Sequence, residues 1–158
     1  MPHLGRLNNH NTAKKQTKRS RLDHKGTPCE VWLTGNYWLP TNILTACRNE
    51  IMANEKQWLS CVQSKEFLHF FDGPDCATWE ESWNAEQGFG LTKLKKHPAG
   101  FPADYEHIRY LRLKDYCCWH HVSDDFFSQP DWLDRMEEIF LAAKPMMDFM
   151  NSVIDDYE

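Results

Sequence analysis

Residues 111–122 read LRLKDYCCWHHV, and the fold turns on whether this stretch is a strand. In a strand, successive side chains point to opposite faces. Arg112, Lys114, Tyr116, Cys118, His120 and Val122 then share one face. Leu111, Leu113, Asp115, Cys117, Trp119 and His121 share the other. The second face mixes Leu, Cys and Trp, which suits burial. The reading is therefore a central strand with Cys117 and Trp119 towards the core, leading into a turn at Ser123-Asp124-Asp125.

The same alternation bears on chemistry. Two Cys and two His within five positions suggest a metal centre, but adjacent Cys and His point apart. Only Cys118 and His120 are same-face neighbours, about 7 Å apart along a strand. Zinc takes three or four protein ligands, and His69, Cys76, His97 and His107 offer no ligand spacing to complete the set. No metal is expected. A Cys118 nucleophile with His120 as its base lacks an oriented third group. No Gly-rich phosphate loop and no G-x-S-x-G occurs, so no nucleotide or other cofactor is expected.

Outward from this stretch, the apolar pattern is helical. EVWLTGNYW (30–38) has the β-branched and aromatic content of a strand. After Pro40, Ile43, Leu44, Cys47 and Ile51 recur at helical spacing, which makes Cys47 a core residue. Asn54 and Gln57 resemble a cap for the next helix, which carries Trp58, Leu59, Val62, Phe67, Phe70 and Phe71 and stops at Gly73-Pro74. Thr78 and Glu81 form a capping-box pattern for a short helix that Gly88 ends. Residues 91–95 begin as a short strand and pass into a Pro/Gly loop. Asp104 caps a short helix towards Tyr110. Gln129-Pro130-Asp131 starts a long C-terminal helix, in which Pro145 removes a backbone donor and predicts a kink or break. Its Met136, Met146, Met147 and Met150 read as gap-filling core. The fold class is α+β: a small mixed or antiparallel sheet from segments near 31–38, 91–95 and 111–122, packed by several helices.

Charge divides the 158-residue chain into two parts. Residues 1–30 hold seven Lys/Arg and two Asp/Glu, a net of +5, with few large apolar side chains. They read as a disordered basic leader. Residues 31–158 hold eleven Lys/Arg and twenty-one Asp/Glu, a net of −10, and read as the α+β domain. An acidic domain repels nucleic acid and anionic membranes, so nucleic-acid contact is expected only through residues 1–30. No apolar run approaches the ~20 residues of a membrane span. The N-terminus has no secretory pattern. The six cysteines are then thiols in a reducing compartment, and the expected location is the cytoplasm.

The order of motifs resembles a known family. Leu94-Lys95, the loop Pro98-Ala99-Gly100-Phe101, Asp104, Leu111 and Lys114-Asp115-Tyr116 are followed by a closing helix with Lys144-Pro145 and Asp148-Phe149. Upstream, GNYWLPTNILTACRNEI (35–51) supplies a Gly-x-Tyr/Trp-x-Pro segment and an Arg-containing helix. This order is similar to that of the domain of unknown function 2461 family, over roughly residues 31–158. The resemblance implies no established activity. Family members carry a helical region and strands before the Gly-x-Tyr segment, and residues 1–30 show neither. The expectation is a truncated or frame-shifted member with an unrelated leader. Its sheet would lack strands and leave an edge open to pairing.

Three functional readings follow. The first is an uncharacterised intracellular domain of the family. The second is a small-anion-binding protein or an enzyme, using Lys95, Arg112, Lys114 and His120 to hold a carboxylate or phosphate. Against it stands a solvated outer face whose cations pair with Asp and Glu. The third is a nucleic-acid-associated protein acting through the leader, against which stands a merely solvated tail.

Overall fold

The computed structural model describes residues 30–35, 39–76 and 78–156. Residues 1–29 of the basic leader, the 36–38 part of the Gly-x-Tyr segment, residue 77 and the last two residues lie outside them. In chain order the elements are β1 (Glu30–Gly35), α1 (Thr41–Ala53), α2 (Glu55–Val62), α3 (Lys65–Phe71), α4 (Trp79–Asn84), β2 (Gln87–Phe89), α5 (Ile108–Leu111), β3 (Cys118–Ser123), α6 (Asp124–Ser128) and α7 (Trp132–Asp155).

The sheet has three strands in the order β1-β3-β2, both pairs antiparallel. β3 is the centre, as the quoted stretch predicts. It pairs from Gly35↔Cys118 to Glu30↔Ser123 on one side and from Phe89↔Cys118 to Gln87↔His120 on the other. The architecture is α+β, with a long C-terminal helix packed over α1, α2 and α3.

The strand starts at Cys118, however, and not at 111. Residues 108–111 form a helical turn, and Arg112 keeps αR geometry (φ −73°, ψ −17°) as its C-cap. Beyond it, the buried carboxylate of Asp115 takes backbone N–H groups that a neighbouring strand would otherwise pair. Alternation therefore does not run through 111–122, and Arg112 and Lys114 do not share a strand face with His120. The 91–95 segment contributes one isolated bridge, Lys93↔Leu113, and the third strand lies just before it.

Other local expectations divide. Thr78 and Glu81 make both halves of the capping box on α4. Asn54 makes no side-chain cap; its amide turns back to Glu50. The single helix expected from Trp58 to Phe71 is two, because Ser64 caps a new start by accepting from Phe67 N. Gly88 does not end α4, which stops at Asn84. Gly88 sits in β2 opposite Trp119, where a Cβ would come within 2.5 Å of the indole ring. The turn expected at 123–125 is instead the start of α6. α7 runs 24 residues without a break through Pro145. Pro145 and Leu141 are both exposed, so the carbonyl that loses its N–H partner lies on the solvent side, where water serves it.

The core centres on Trp58, which is fully buried. Tyr110, Tyr116 and Phe149 pack around it at ring-centroid distances of 5.6, 5.7 and 5.2 Å. α7 closes this core with Ile139, Ala142, Ala143, Met146, Met147, Phe149, Met150 and Val153. Three of the four methionines of that helix are thus core, and Met136 is half-buried. Cys47 is fully buried in the same cluster. Cys117 and Trp119 face a smaller cluster with Leu91. No helix among the described residues is long and apolar enough to cross a membrane.

Candidate functional site

Asp115 organises the region around the family motifs. It is fully buried. One carboxylate oxygen accepts from Leu91 N (2.9 Å) and Cys117 N (3.2 Å), the other from Thr92 N and Thr92 Oγ1 (both 2.8 Å). These bonds clamp residues 91–94 against residues 112–117. The pairing continues through Lys114 N to Thr92 O (3.0 Å) and Leu94 N to Arg112 O (2.7 Å). The Arg112 side chain then closes the motif. Its Nε donates to Leu94 O at 2.9 Å and one Nη to Lys95 O at 3.2 Å. Behind this wall, Arg48 of α1 is buried and donates to Leu113 O at 3.0 Å.

The clamp forms one side of a cavity of about 300 Å³. Lys93, Arg109 and Arg112 line it, with Asp75 as its one acid and Cys76 beside them. Phe71, Phe89, Tyr110 and Leu113 supply an apolar wall. Arg109 lies over the Tyr110 ring, 5.0 Å from its centroid. Asp75 pairs with Lys93. That bond, with Arg109 and Arg112 near by, holds the Asp75 carboxyl below the usual carboxylate range, against the burial that opposes it. Cys76 is a buried thiol with no disulfide.

A second cavity of about 460 Å³ lies at the far end of β3. His69, Phe70, His120, His121, Asp125, Arg135 and Glu138 are among its lining residues. His120 Nδ1 is 2.9 Å from Phe70 O. A carbonyl only accepts, so the proton is on Nδ1 and Nε2 keeps its lone pair. Burial lowers the His120 pKa, and burial with the neighbouring His120 pushes His121 down to about 4. Both rings are neutral at pH 7.

The four residues singled out in the sequence are therefore not brought together. Arg112 lines the smaller cavity and His120 the larger one. Lys95 and Lys114 are exposed, and they join this region through Lys95's carbonyl and Lys114's backbone N–H. The cations that join Arg112 are Lys93 and Arg109. Arg109 was detectable as the residue one helical turn before Arg112. Asp75 had no sequence signal, since its loop meets the cavity only through the tertiary fold. Among the described residues, no group of three or more His, Cys, Asp or Glu is placed to hold a metal ion.

Neither a curated protein nor a solved structure matches the chain. The family described as conserved hypothetical protein, domain of unknown function 2461, matches residues 24–149. That span takes in the Arg-containing helix α1, the Asp115 clamp and most of α7, and the chain belongs to the domain of unknown function 2461 family.

Proposed function

We propose that this domain binds a small anion, a carboxylate or a phosphate, in the cavity lined by Lys93, Arg109 and Arg112. The observation that carries the reading is the charge balance of that cavity: three cations and one acid line about 300 Å³. The rest of the domain is acidic, so this concentration of positive charge runs against the protein's overall balance. Arg112 is held in place by the carbonyls of Leu94 and Lys95. A fixed guanidinium loses little freedom on binding an anion. The larger cavity, with Asp125, Glu138 and neutral histidines, offers an anion only Arg135. Cys47, Cys61 and Cys76 are buried thiols, which suits a reducing compartment, and the cytoplasm is the setting we propose.

Thermal unfolding of the full chain tests this against phosphate, sulfate, citrate and acetate at matched ionic strength. A ligand at ten times its Kd stabilises by about 1.4 kcal/mol, which raises Tm by about 3–6 °C for a chain of this size. Arg109→Gln should remove the rise, because Arg109 is exposed and is not part of the clamp. No shift with any anion, or an undiminished shift in Arg109→Gln, refutes the proposal.

A further inference from the structure

We infer that the ligand of the cationic cavity is a small carboxylic acid with an apolar body, and that it binds by taking the place of the Asp75 carboxylate on Lys93. The inference rests on the anion-site reading above.

Asp75 and Lys93 form an asymmetric pair. The Lys93 side chain is 10% exposed, whereas that of Asp75 is 88% exposed. The ammonium belongs to the cavity wall, and the carboxylate reaches it from a solvated loop. Asp75 follows Gly73-Pro74 in the segment between α3 and α4, and no helix or strand fixes it. Arg109 and Arg112 also act on it. Asp75 thus places a carboxylate where all three cations are felt, while its own backbone stays at the rim. A free carboxylate in that position meets the same charges. Because the aspartate head is solvated and its anchor is a loop, it can swing into water when a ligand arrives.

The apolar part of the lining defines what the ligand carries behind its carboxylate. Phe71 and Leu113 are buried, and Phe89 is half-buried. Phe89 continues into the aromatic core through Phe67 at 5.3 Å. A bare inorganic anion leaves this wall wet, whereas an aryl or branched alkyl group covers it. At about 30 Å³ for each water-sized group, the cavity has room for about ten non-hydrogen atoms. That is the size of a phenyl-substituted or branched short-chain acid.

Calorimetric titration of the full chain with phenylacetate, isovalerate, acetate and inorganic phosphate tests the inference, in wild type and in Asp75→Asn. Phenylacetate and isovalerate should bind about tenfold or more tighter than acetate, since each buried methylene contributes about a factor of four. Asp75→Asn removes the internal competitor, and should tighten all three carboxylates by about tenfold without lowering Tm by more than 2 °C. Phenylacetate should also slow alkylation of Cys76, read by mass spectrometry, which locates the ligand in this cavity. Phosphate binding that needs Arg109, with phenylacetate no tighter than acetate, overturns the ligand class and leaves the anion site standing. Unchanged or weaker carboxylate binding in Asp75→Asn overturns the displacement. Absence of binding by all four anions overturns both the inference and the anion site.

Discussion

Asp115→Asn is the sharpest probe of the clamp, because it changes the charge and one atom while keeping the shape. The carboxylate accepts four hydrogen bonds, two on each oxygen. An amide nitrogen must replace one of those oxygens. In the position facing Leu91 N and Cys117 N it would confront two backbone donors that cannot turn. In the position facing Thr92 it confronts one backbone donor and a hydroxyl that can rotate to accept. The second orientation is therefore favoured. It leaves Thr92 N without an acceptor and weakens the two bonds on the retained oxygen from charged to neutral. An unpaired buried donor costs about 1–3 kcal/mol, and the step from charged to neutral costs about 1 kcal/mol per bond. Relief from burying a charge offsets part of this. The net cost is about 2–3 kcal/mol. Asp115→Ala strips every acceptor from three backbone N–H groups and costs about 4–5 kcal/mol.

Urea unfolding followed by tryptophan fluorescence reads these values directly, since the core holds Trp58 and Trp119. With a slope of about 2 kcal/mol/M, Asn should lower the midpoint by about 1–1.5 M and Ala by about 2 M or more. The slopes should match wild type. An Asn midpoint equal to wild type would refute the acceptor role assigned to the carboxylate. An Ala variant milder than Asn would show that space at the position matters and acceptors do not.

Three further outcomes are expected. Pro145→Ala should raise stability by about 1–3 kcal/mol, because it restores an N–H to a helix interior; a drop in urea midpoint would mean that Pro145 is set by packing. Gly90→Ala should cost about 2–3 kcal/mol, since Gly90 has φ +81° and a Cβ would meet the Leu113 side chain at 2.3 Å; a neutral result would contradict the close approach of the 90s loop to Leu113. Stability should fall as pH drops from about 6.5 towards 4, where the unfolded chain protonates His120 and His121 before the folded one does, because their folded pKa values are lowered, that of His121 to about 4. The sign is that of a group held neutral in the fold: its contribution is full above pH 6.5 and disappears below the folded pKa. After discounting for solvent at the half-buried rings, the loss is about 1–2 kcal/mol, and His121→Gln should flatten the midpoint-against-pH curve in that window.

The legible parts of the fold were those set by local chemistry. The capping box on α4 needs only Thr78 and Glu81 three residues apart, and it formed. The apolar face of α7 follows from spacing alone, and Ile139, Ala143, Met146, Phe149, Met150 and Val153 are buried on it. The centrality of β3 was legible from the Leu, Cys and Trp of one face, and Cys117 and Trp119 are buried there; Cys118 on the other face is buried in the main core too, which alternation had left beside Arg112 and Lys114. What failed was the assumption that one period governs a stretch throughout. The apolar residues of 111–117 are buried, yet their backbone is paired by scattered bonds to the irregular 90–94 segment and by the Asp115 carboxylate, not by a continuous strand ladder. Asp115 in a run of Leu, Tyr and Cys was the warning, since a buried acid must collect donors from somewhere.

The same miscount of period misplaced the candidate site. Alternation put Arg112, Lys114 and His120 on one face and made them partners. Replacing that strand by a helical turn rotates Arg112 away from β3 and towards residues 93–95. It also brings Arg109 onto the same side, because residues three apart are neighbours on a helix and strangers on a strand. The proposed anion site thus keeps Arg112 but with different companions, Lys93 and Arg109. Lys95 illustrates why side-chain type alone was a poor guide: its carbonyl fixes Arg112, and its exposed ammonium contributes no bond to the clamp. A Lys95→Ala substitution should accordingly leave anion binding within about twofold of wild type, whereas proline at the same position alters the backbone that carries the carbonyl and should weaken it. Titration of both variants with phosphate or phenylacetate decides between the two roles. A large loss on Lys95→Ala would return the ammonium to the site and overturn the account given of Arg112.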